Sequence, residues 1–256
     1  MGVFADRTVL VTGGASGIGA AIARRAAHEG AFVTVADADV DNAESMAAEV
    51  GGQAVHLDVS DPGSWEQALD AVGPVDVACC NAGIGVGEAD ITAVEIGSYR
   101  RALAVNVDGV VLGTRALVPR MGAGSVIIAS ASLAGLTPMP SDPVYAATKH
   151  AIIGFVRSYA PTLADRGIGL QALCPGLVDT PLLPPGLRSE IEQARFPLIA
   201  ADDVAEGMVR AATSNGTGEA WVVQAGRSPE VYRFRGVPGP RGRGIEGMTP
   251  PGVPGG

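Results

Sequence analysis

Short apolar runs alternate with longer helix-forming stretches over the first two-thirds of the chain. Val9–Val11 ends in glycines, and helix formers follow over Ala20–Glu29, closing at Gly30. Phe32–Ala36 leads into an acidic, alanine-rich helix over Val40–Val50, and Ala54–Leu57 into a helix over Ser64–Val72. Val75–Cys80, Val126–Ala129 and Gly169–Leu173 continue the series. These runs are continuous in Val, Ile, Leu and Ala rather than alternating, the pattern of strands buried on both faces. Strand–helix repetition of this kind predicts an α/β fold: a parallel sheet with right-handed crossovers and helices on both sides.

The rest of the chain is less regular. A long helical stretch is predicted over residues 93–121, carrying Tyr99, Asn106 and Arg115, and another from about Pro143 to Leu163. Pro161 is expected to bend or restart the second, because its ring clashes with the carbonyl four residues back. Thr180–Ala200 is rich in Pro and Leu without clean periodicity and reads as a mobile substrate lid; Trp221–Gln224 reads as a last strand. From Gly236 to Gly256 more than half of the residues are Gly or Pro, so that tail cannot pack a core.

Composition narrows the function classes. With 256 residues, 47% of them hydrophobic, the chain can bury a substantial single core. A net charge of −9 argues against a nucleic-acid partner. The segment Met1–Arg7 lacks the apolar stretch of a signal peptide, and no segment is expected to supply the roughly 20 uninterrupted apolar residues that cross a bilayer. Cys79, Cys80 and Cys174 read as buried thiols in a reducing compartment, so the expectation is a cytoplasmic protein with no membrane partner. His28, His56 and His150 have no metal-like partner nearby in sequence, and no metal site is expected.

Chemistry concentrates at two places. Thr12-Gly13-Gly14-Ala15-Ser16-Gly17-Ile18-Gly19 links the first strand to the first helix. Glycines there let the backbone turn sharply and approach a pyrophosphate, which free N–H groups at a helix N-terminus favour. Asp37 ends the second strand 18 residues after Gly19, where a carboxylate accepts from ribose hydroxyls and repels a 2′-phosphate. That choice predicts NAD rather than NADP.

The second place is Tyr145-Ala146-Ala147-Thr148-Lys149. Lys149 is the only lysine; the other seventeen basic residues are arginine, so the smaller point charge stands out. Residues at i and i+4 share a helix face, which lets the phenol and the ammonium approach one ligand. A tyrosine ordinarily titrates near 10, and making it a base near neutrality takes about 3–4 kcal/mol of differential stabilisation of the phenolate. Lys149 supplies one favourable term. Ser141-Asp142-Pro143 resembles a capped helix start, placing Tyr145 in the positively polarised first turn. Burial opposes both. Ser132 follows the Val126–Ala129 run and so falls at a strand's C-terminal end, with Ser130 a competing candidate two residues earlier.

The glycine turn, Asn81-Ala82-Gly83, Asn106, Ser132, Tyr145-x-x-x-Lys149 and Pro175-Gly176 follow in an order and spacing that resembles the short-chain dehydrogenases/reductases, over roughly residues 5–225. The resemblance implies one Rossmann-like, doubly wound domain of about seven strands over residues 1–235, with residues 180–200 as lid and 236–256 as tail. It implies a nicotinamide cofactor and a catalytic group of Asn106, Ser132, Tyr145 and Lys149. Gly13, Ser16, Gly17, Ile18, Gly19 and Asp37 are then expected to hold the cofactor's adenosine and pyrophosphate. Asp58 and Val59 are expected beside the adenine, and Asn81, Ala82 and Gly83 along the pocket floor, with Tyr145 and Lys149 also touching the cofactor. Pro175, Gly176, Val178 and Thr180 are expected at the nicotinamide end. Homo-oligomers, dimeric or tetrameric, through the two long helices are implied as well. Cys80 departs from the pattern, since many relatives carry a second Asn there. Arg233, Arg235, Arg241 and Arg243 make the C-terminal end locally basic.

Residues expected to meet substrate are Ile84–Gly87, Leu133, Ala134, Thr137–Ser141 and the 181–198 segment. They are mostly apolar, which favours a hydrophobic secondary alcohol or its ketone. An NADP-dependent 3-oxoacyl-carrier-protein reductase and a non-catalytic dinucleotide-binding scaffold are the competing readings.

Overall fold

Adjacent residues of each apolar run belong to opposite faces of one sheet and feed two separate cores. The computed structural model describes residues 2–183 and 185–236. β1 (Thr8–Thr12), α1 (Gly17–His28), β2 (Phe32–Asp37), α2 (Val40–Val50), β3 (Gln53–His56), α3 (Pro62–Val72) and β4 (Val77–Cys80) alternate. Next come α4 (Ile96–Leu103), a π-helical turn over Ala104–Asp108, α5 (Gly109–Leu117), β5 (Val126–Ser130) and α6 (Pro143–Ala164). β6 (Gly169–Pro175), α7 (Pro185–Gln193), α8 (Ala201–Thr213), β7 (Ala220–Val223) and β8 (Glu230–Val231) complete the order.

The sheet runs β3-β2-β1-β4-β5-β6-β7-β8. Among the described residues seven strands are parallel, as expected; β8 is an unforeseen antiparallel addition of two residues, pairing Trp221 with Val231. Val9, Val11, Val77, Cys79 and Ile128 face α1, α2 and α8. Leu10, Ala78, Cys80, Ile127 and Cys174 face the layer of α3, α5 and α6. The neighbours Cys79 and Cys80 therefore point to opposite layers, and all three cysteines are free and buried.

The order of strand addition reverses between β1 and β4, which run parallel with Val11 opposite Cys79. In open α/β sheets this is the crevice where ligands bind, at the carboxyl ends of the strands. Thr12, Gly13 and Asn81 stand there.

The stretch 93–121 is helical as expected, continuous over Ile96–Arg120, with an unforeseen π turn that inserts an extra residue between α4 and α5. It is also long and apolar enough to cross a membrane by length and composition, although Arg100, Arg101, Asp108 and Arg115 interrupt its apolar run. It packs against α3 and α6 as a core element, burying Ala102, Asn106, Val110, Thr114 and Leu117. Two sequence expectations need correction. α6 runs unbroken through Pro161 to Ala164, the proline forfeiting one backbone bond in the helix's last turn. Finally, the aperiodic segment after Thr180 contains the nine-residue α7, pinned by an Arg188–Asp179 ion pair at 2.6 Å. The tail beyond Gly236, with Arg241 and Arg243, lies outside the described residues.

Helix starts differ in a way that bears on binding. Asp39, Asp61 and Asp142 cap α2, α3 and α6 with their carboxylates, accepting from Asn42, Gly63 and Tyr145 N–H. Ser16 at the start of α1 makes no side-chain cap bond, and the first turn of α1 has no acid. Its free N–H groups suit an incoming anion.

Candidate active site

The turn after β1 is shaped for a close approach. Gly13 has φ +61 and Gly17 φ +52, in the region glycine tolerates best. A Cβ on Gly19 would collide with the Gly13 carbonyl, and one on Gly13 would lie 2.8 Å from Ala82 Cα. Ile18 is half-buried beneath the turn. Asn81 ties the turn to the sheet, donating from Nδ2 to the Thr12 and Gly13 carbonyls at 3.1 and 3.3 Å. Thr12 Oγ1 accepts from the Asn81 and Ala82 amides at 3.0 and 3.1 Å. Thr12 was not singled out from sequence; a buried hydroxyl closing an otherwise apolar strand was the available signal.

Asp37 Oδ2 accepts from Ala15 N–H at 3.1 Å and Oδ1 from Asp39 N–H at 3.0 Å, so the carboxylate borders the glycine turn. Thr180 lies on the turn's other side, 3.5 Å from a Cβ placed on Gly17. Together these residues fit a dinucleotide: bare backbone and unfilled helix N–H groups for the phosphates, with one acid at the ribose position. Asp58 and Val59 are engaged elsewhere. The Asp58 carboxylate is held low by Ser60, whose hydroxyl and amide donate to it at 2.7 and 2.9 Å. Val59 is buried, its carbonyl accepting from Trp65 Nε1 at 3.0 Å. At the other end Gly176 N–H donates to the Val223 carbonyl at 3.0 Å, and Val178 bridges to Ile199.

Of the four expected catalytic side chains, Asn106 and Lys149 meet beside Gly83, and Ser132 hydrogen-bonds the Tyr145 phenol. Asn106 is fully buried in the π turn, pairing with Ile84 through Oδ1 to N–H and Nδ2 to the carbonyl, both 2.8 Å. Its Nδ2 also donates to Thr148 Oγ1 at 3.1 Å, and Thr148 in turn donates to the Tyr145 carbonyl at 2.7 Å. Thr148, a second residue unmarked in the sequence, joins Asn106 to the Tyr–Lys helix. Lys149 is 3% exposed and donates to the Ser130 carbonyl at 2.8 Å. A Cβ on Gly83 would sit 3.3 Å from Lys149 Nζ and 3.4 Å from Asn106 Oδ1, so glycine leaves both polar atoms uncovered there. Ser130 is committed to structure, its hydroxyl donating to Asn81 Oδ1 at 3.3 Å. Ser132 Oγ accepts from Ala134 N–H at 3.1 Å and donates to the Pro175 carbonyl at 3.4 Å.

The electrostatics correct one expectation. Burial pushes the Tyr145 phenol above its ordinary value, hydrogen bonding from Ser132 pulls it back, and the Asp142 carboxylate pushes it up again. The capping acid thus offsets the helix polarity that was expected to help. Lys149 Nζ lies 5.4 Å from the Tyr145 ring centroid, its proton donated to Ser130. Burial lowers Lys149 itself to about 8, with Cys174 acting in the opposite sense.

A model described as short chain dehydrogenase matches residues 7–189. The 1-deoxy-11-beta-hydroxypentalenate dehydrogenase of Streptomyces exfoliatus is 38% identical, covering 78% of this chain and 77% of its own. The 3-alpha-(or 20-beta)-hydroxysteroid dehydrogenase of Mycobacterium bovis is 39% identical, covering 69% and 70%. The crystal structure of a 3-ketoacyl-(acyl-carrier-protein) reductase from Brucella melitensis complexed with NADH has a TM-score of 0.78 at 34% identity, covering 88% of this chain and 99% of that one. A family match spanning most of the chain, on a sheet whose switch point carries this turn, makes the protein a member of the short chain dehydrogenases, oxidoreductases that act on alcohols and ketones.

Proposed function

We propose that this chain is an NAD(H)-dependent oxidoreductase interconverting a hydrophobic secondary alcohol and its ketone. The observation that carries the reading is the buried Lys149 ammonium beside the ring of Tyr145, whose backbone carbonyl is linked through Thr148 to Asn106. In this reading Tyr145 takes the hydroxyl proton in oxidation and returns it in reduction. Ser132 hydrogen-bonds the substrate oxygen as charge develops there. Lys149 favours the phenolate, and Asn106 holds the backbone that fronts it. The nicotinamide, when bound, supplies the hydride acceptor or donor.

A phenol held above its ordinary value carries its proton at neutral pH, where it can serve reduction, and becomes available as a base only at alkaline pH. Ketone reduction therefore belongs to neutral conditions and alcohol oxidation to alkaline ones. Asp37 supports NAD, because a 2′-phosphate would meet its carboxylate. The hydroxysteroid relative supports a bulky apolar substrate. The reductase from Brucella melitensis supports a second reading, reduction of a 3-oxoacyl thioester; since that structure carries NADH, Asp37 does not argue against it. A homo-oligomer is part of the proposal, supported by exposed Ile96 and Tyr99 on α4 and the stacked Phe155–Tyr159 pair on α6.

The test is a screen of androsterone, cyclohexanol and 2-octanol with NAD and NADP, and of acetoacetyl-CoA with NADH, followed on the best probe by Tyr145→Phe. NAD-linked turnover that falls at least a hundredfold in the variant is expected. A clear NADP preference overturns the cofactor assignment, and a variant retaining most of its turnover overturns the role of Tyr145. Light scattering reporting a single chain removes the oligomer.

A further inference from the structure

One acidic side chain near the site is both buried and without a cationic partner among the described residues. Asp142, 4% exposed, sits just before the helix that carries Tyr145 and Lys149. Its Oδ1 accepts from Tyr145 N–H at 2.9 Å, and its Oδ2 accepts from the amides of Val86 and Gly87 at 2.8 and 2.7 Å. No ion pair among the described residues includes it.

A helix cap needs one oxygen, and serine, threonine or asparagine supplies it as well as aspartate does. The second oxygen serves the loop after β4. Burying a carboxylate is costly unless its lone pairs are met, and here three peptide N–H groups meet them with charge-assisted bonds. Serine has a single oxygen. Asparagine would turn an NH2 group toward two N–H donors. The bridge from helix to loop therefore calls for a carboxylate on a short stem.

The bridged segment matters because of its other anchor. Ile84 is held through both its N–H and its carbonyl by Asn106. Residues 84–87 are thus fastened at one end to the π turn and at the other to the first turn of α6. Ile84 and Val86 remain half-buried on the side of the cleft where substrate is expected.

We propose that Asp142 is a positioning residue that fixes the 84–87 segment against the Tyr145 helix and thereby sets one wall of the substrate cleft. The inference rests on Tyr145 serving as the proton-transfer group. Loosening that wall weakens binding of ground state and transition state alike, so KM rises while kcat holds.

The experiment uses the full chain and the best probe alcohol from the screen. Asp142→Ser and Asp142→Asn both keep a cap for Tyr145 N–H and both lose the bridge. Each is expected to raise KM for the alcohol at least fivefold with KM for NAD unchanged; because the carboxylate also raises the Tyr145 phenol, the kcat–pH profile for oxidation should move to lower pH while its plateau stays within about twofold. In hydrogen exchange, the Val86 and Gly87 amides of the unmodified protein should exchange at least tenfold more slowly than those of Gly85 and Ala89, which make no hydrogen bond among the described residues. That protection should vanish in both variants while the Tyr145 amide stays protected. Asparagine behaving as wild type reduces Asp142 to a helix cap and overturns the proposal. So does the absence of slow exchange at residues 86 and 87 in the unmodified protein, a readout that stands even if the variants do not fold. A wild-type protein inactive throughout the screen defeats the functional reading instead.

Discussion

At the scale of single residues, burial governs the titrating groups, and it does so with opposite signs. Cys80 and Cys174 are pushed up to about 12 by burial, and Cys79 higher still. Lys149 is pulled down to about 8 from 10.5. Around pH 10 the unfolded chain has released most of three thiol protons that the folded chain keeps. The folded chain has released one ammonium proton that the unfolded chain keeps. The folded state therefore holds two more protons, and stability falls as pH rises, by on the order of 3 kcal/mol per pH unit. Near pH 8 the slope is small and of opposite sign, because the folded chain gives up its Lys149 proton before the unfolded chain loses thiol protons. Urea midpoints should change little between pH 8 and 9 and decline steeply between pH 9 and 10; a flat or rising series above pH 9 contradicts the assignment. Tyr145 shows why such effects stayed hidden in the sequence. The Tyr-x-x-x-Lys spacing is plain in the sequence, whereas the sign of the phenol's shift depends on the depth of its burial and on where the Asp142 carboxylate points.

Among the elements, the most legible were those whose pattern is local. Val40–Val50 was read with its final bounds because Asp39 and Gly51 punctuate it as cap and left-handed stop. The turn from β1 into α1 was equally plain, since its glycines answer to backbone geometry alone. The π turn was not. Adding one residue to a helix leaves its apolar pattern nearly intact, and what demands it is the pairing of Asn106 with Ile84, 22 residues away. Thr12 and Thr148 were missed for the same reason: each acts through a partner that only the fold brings near. The packing of α5 on α3 is a further case. A Cβ on Gly113 would lie 2.5 Å from Cζ2 of Trp65, a ring 1% exposed and fixed by its bond to the Val59 carbonyl. Gly113→Ala gains about 1 kcal/mol of helix propensity but forces overpacking that costs about 1–3 kcal/mol. A net loss of stability is expected, read as a lower thermal midpoint; a more stable variant would show that the two helices can separate freely.

For the molecule as a whole, both sheet edges are short: β3 has four residues and β8 two. Beyond β8 the chain returns to α6, where Phe234 lies 3.8 Å beneath the Arg157 guanidinium and 4.9 Å from Tyr232, edge to face. The helix bearing the reactive pair is thereby gripped well along its length as well as at its start. Within this frame stands the one lysine of 256 residues, sealed from solvent. That solitude turns the side chain into a ready-made spectroscopic reporter. Protein grown on isotope-enriched lysine will give a single side-chain resonance, assigned without effort, whose titration should centre near 8 rather than 10.5. A signal that titrates like free lysine would mean that the ammonium sits in water, and the same peak, followed as dinucleotide is added, reports occupancy of the cleft from inside.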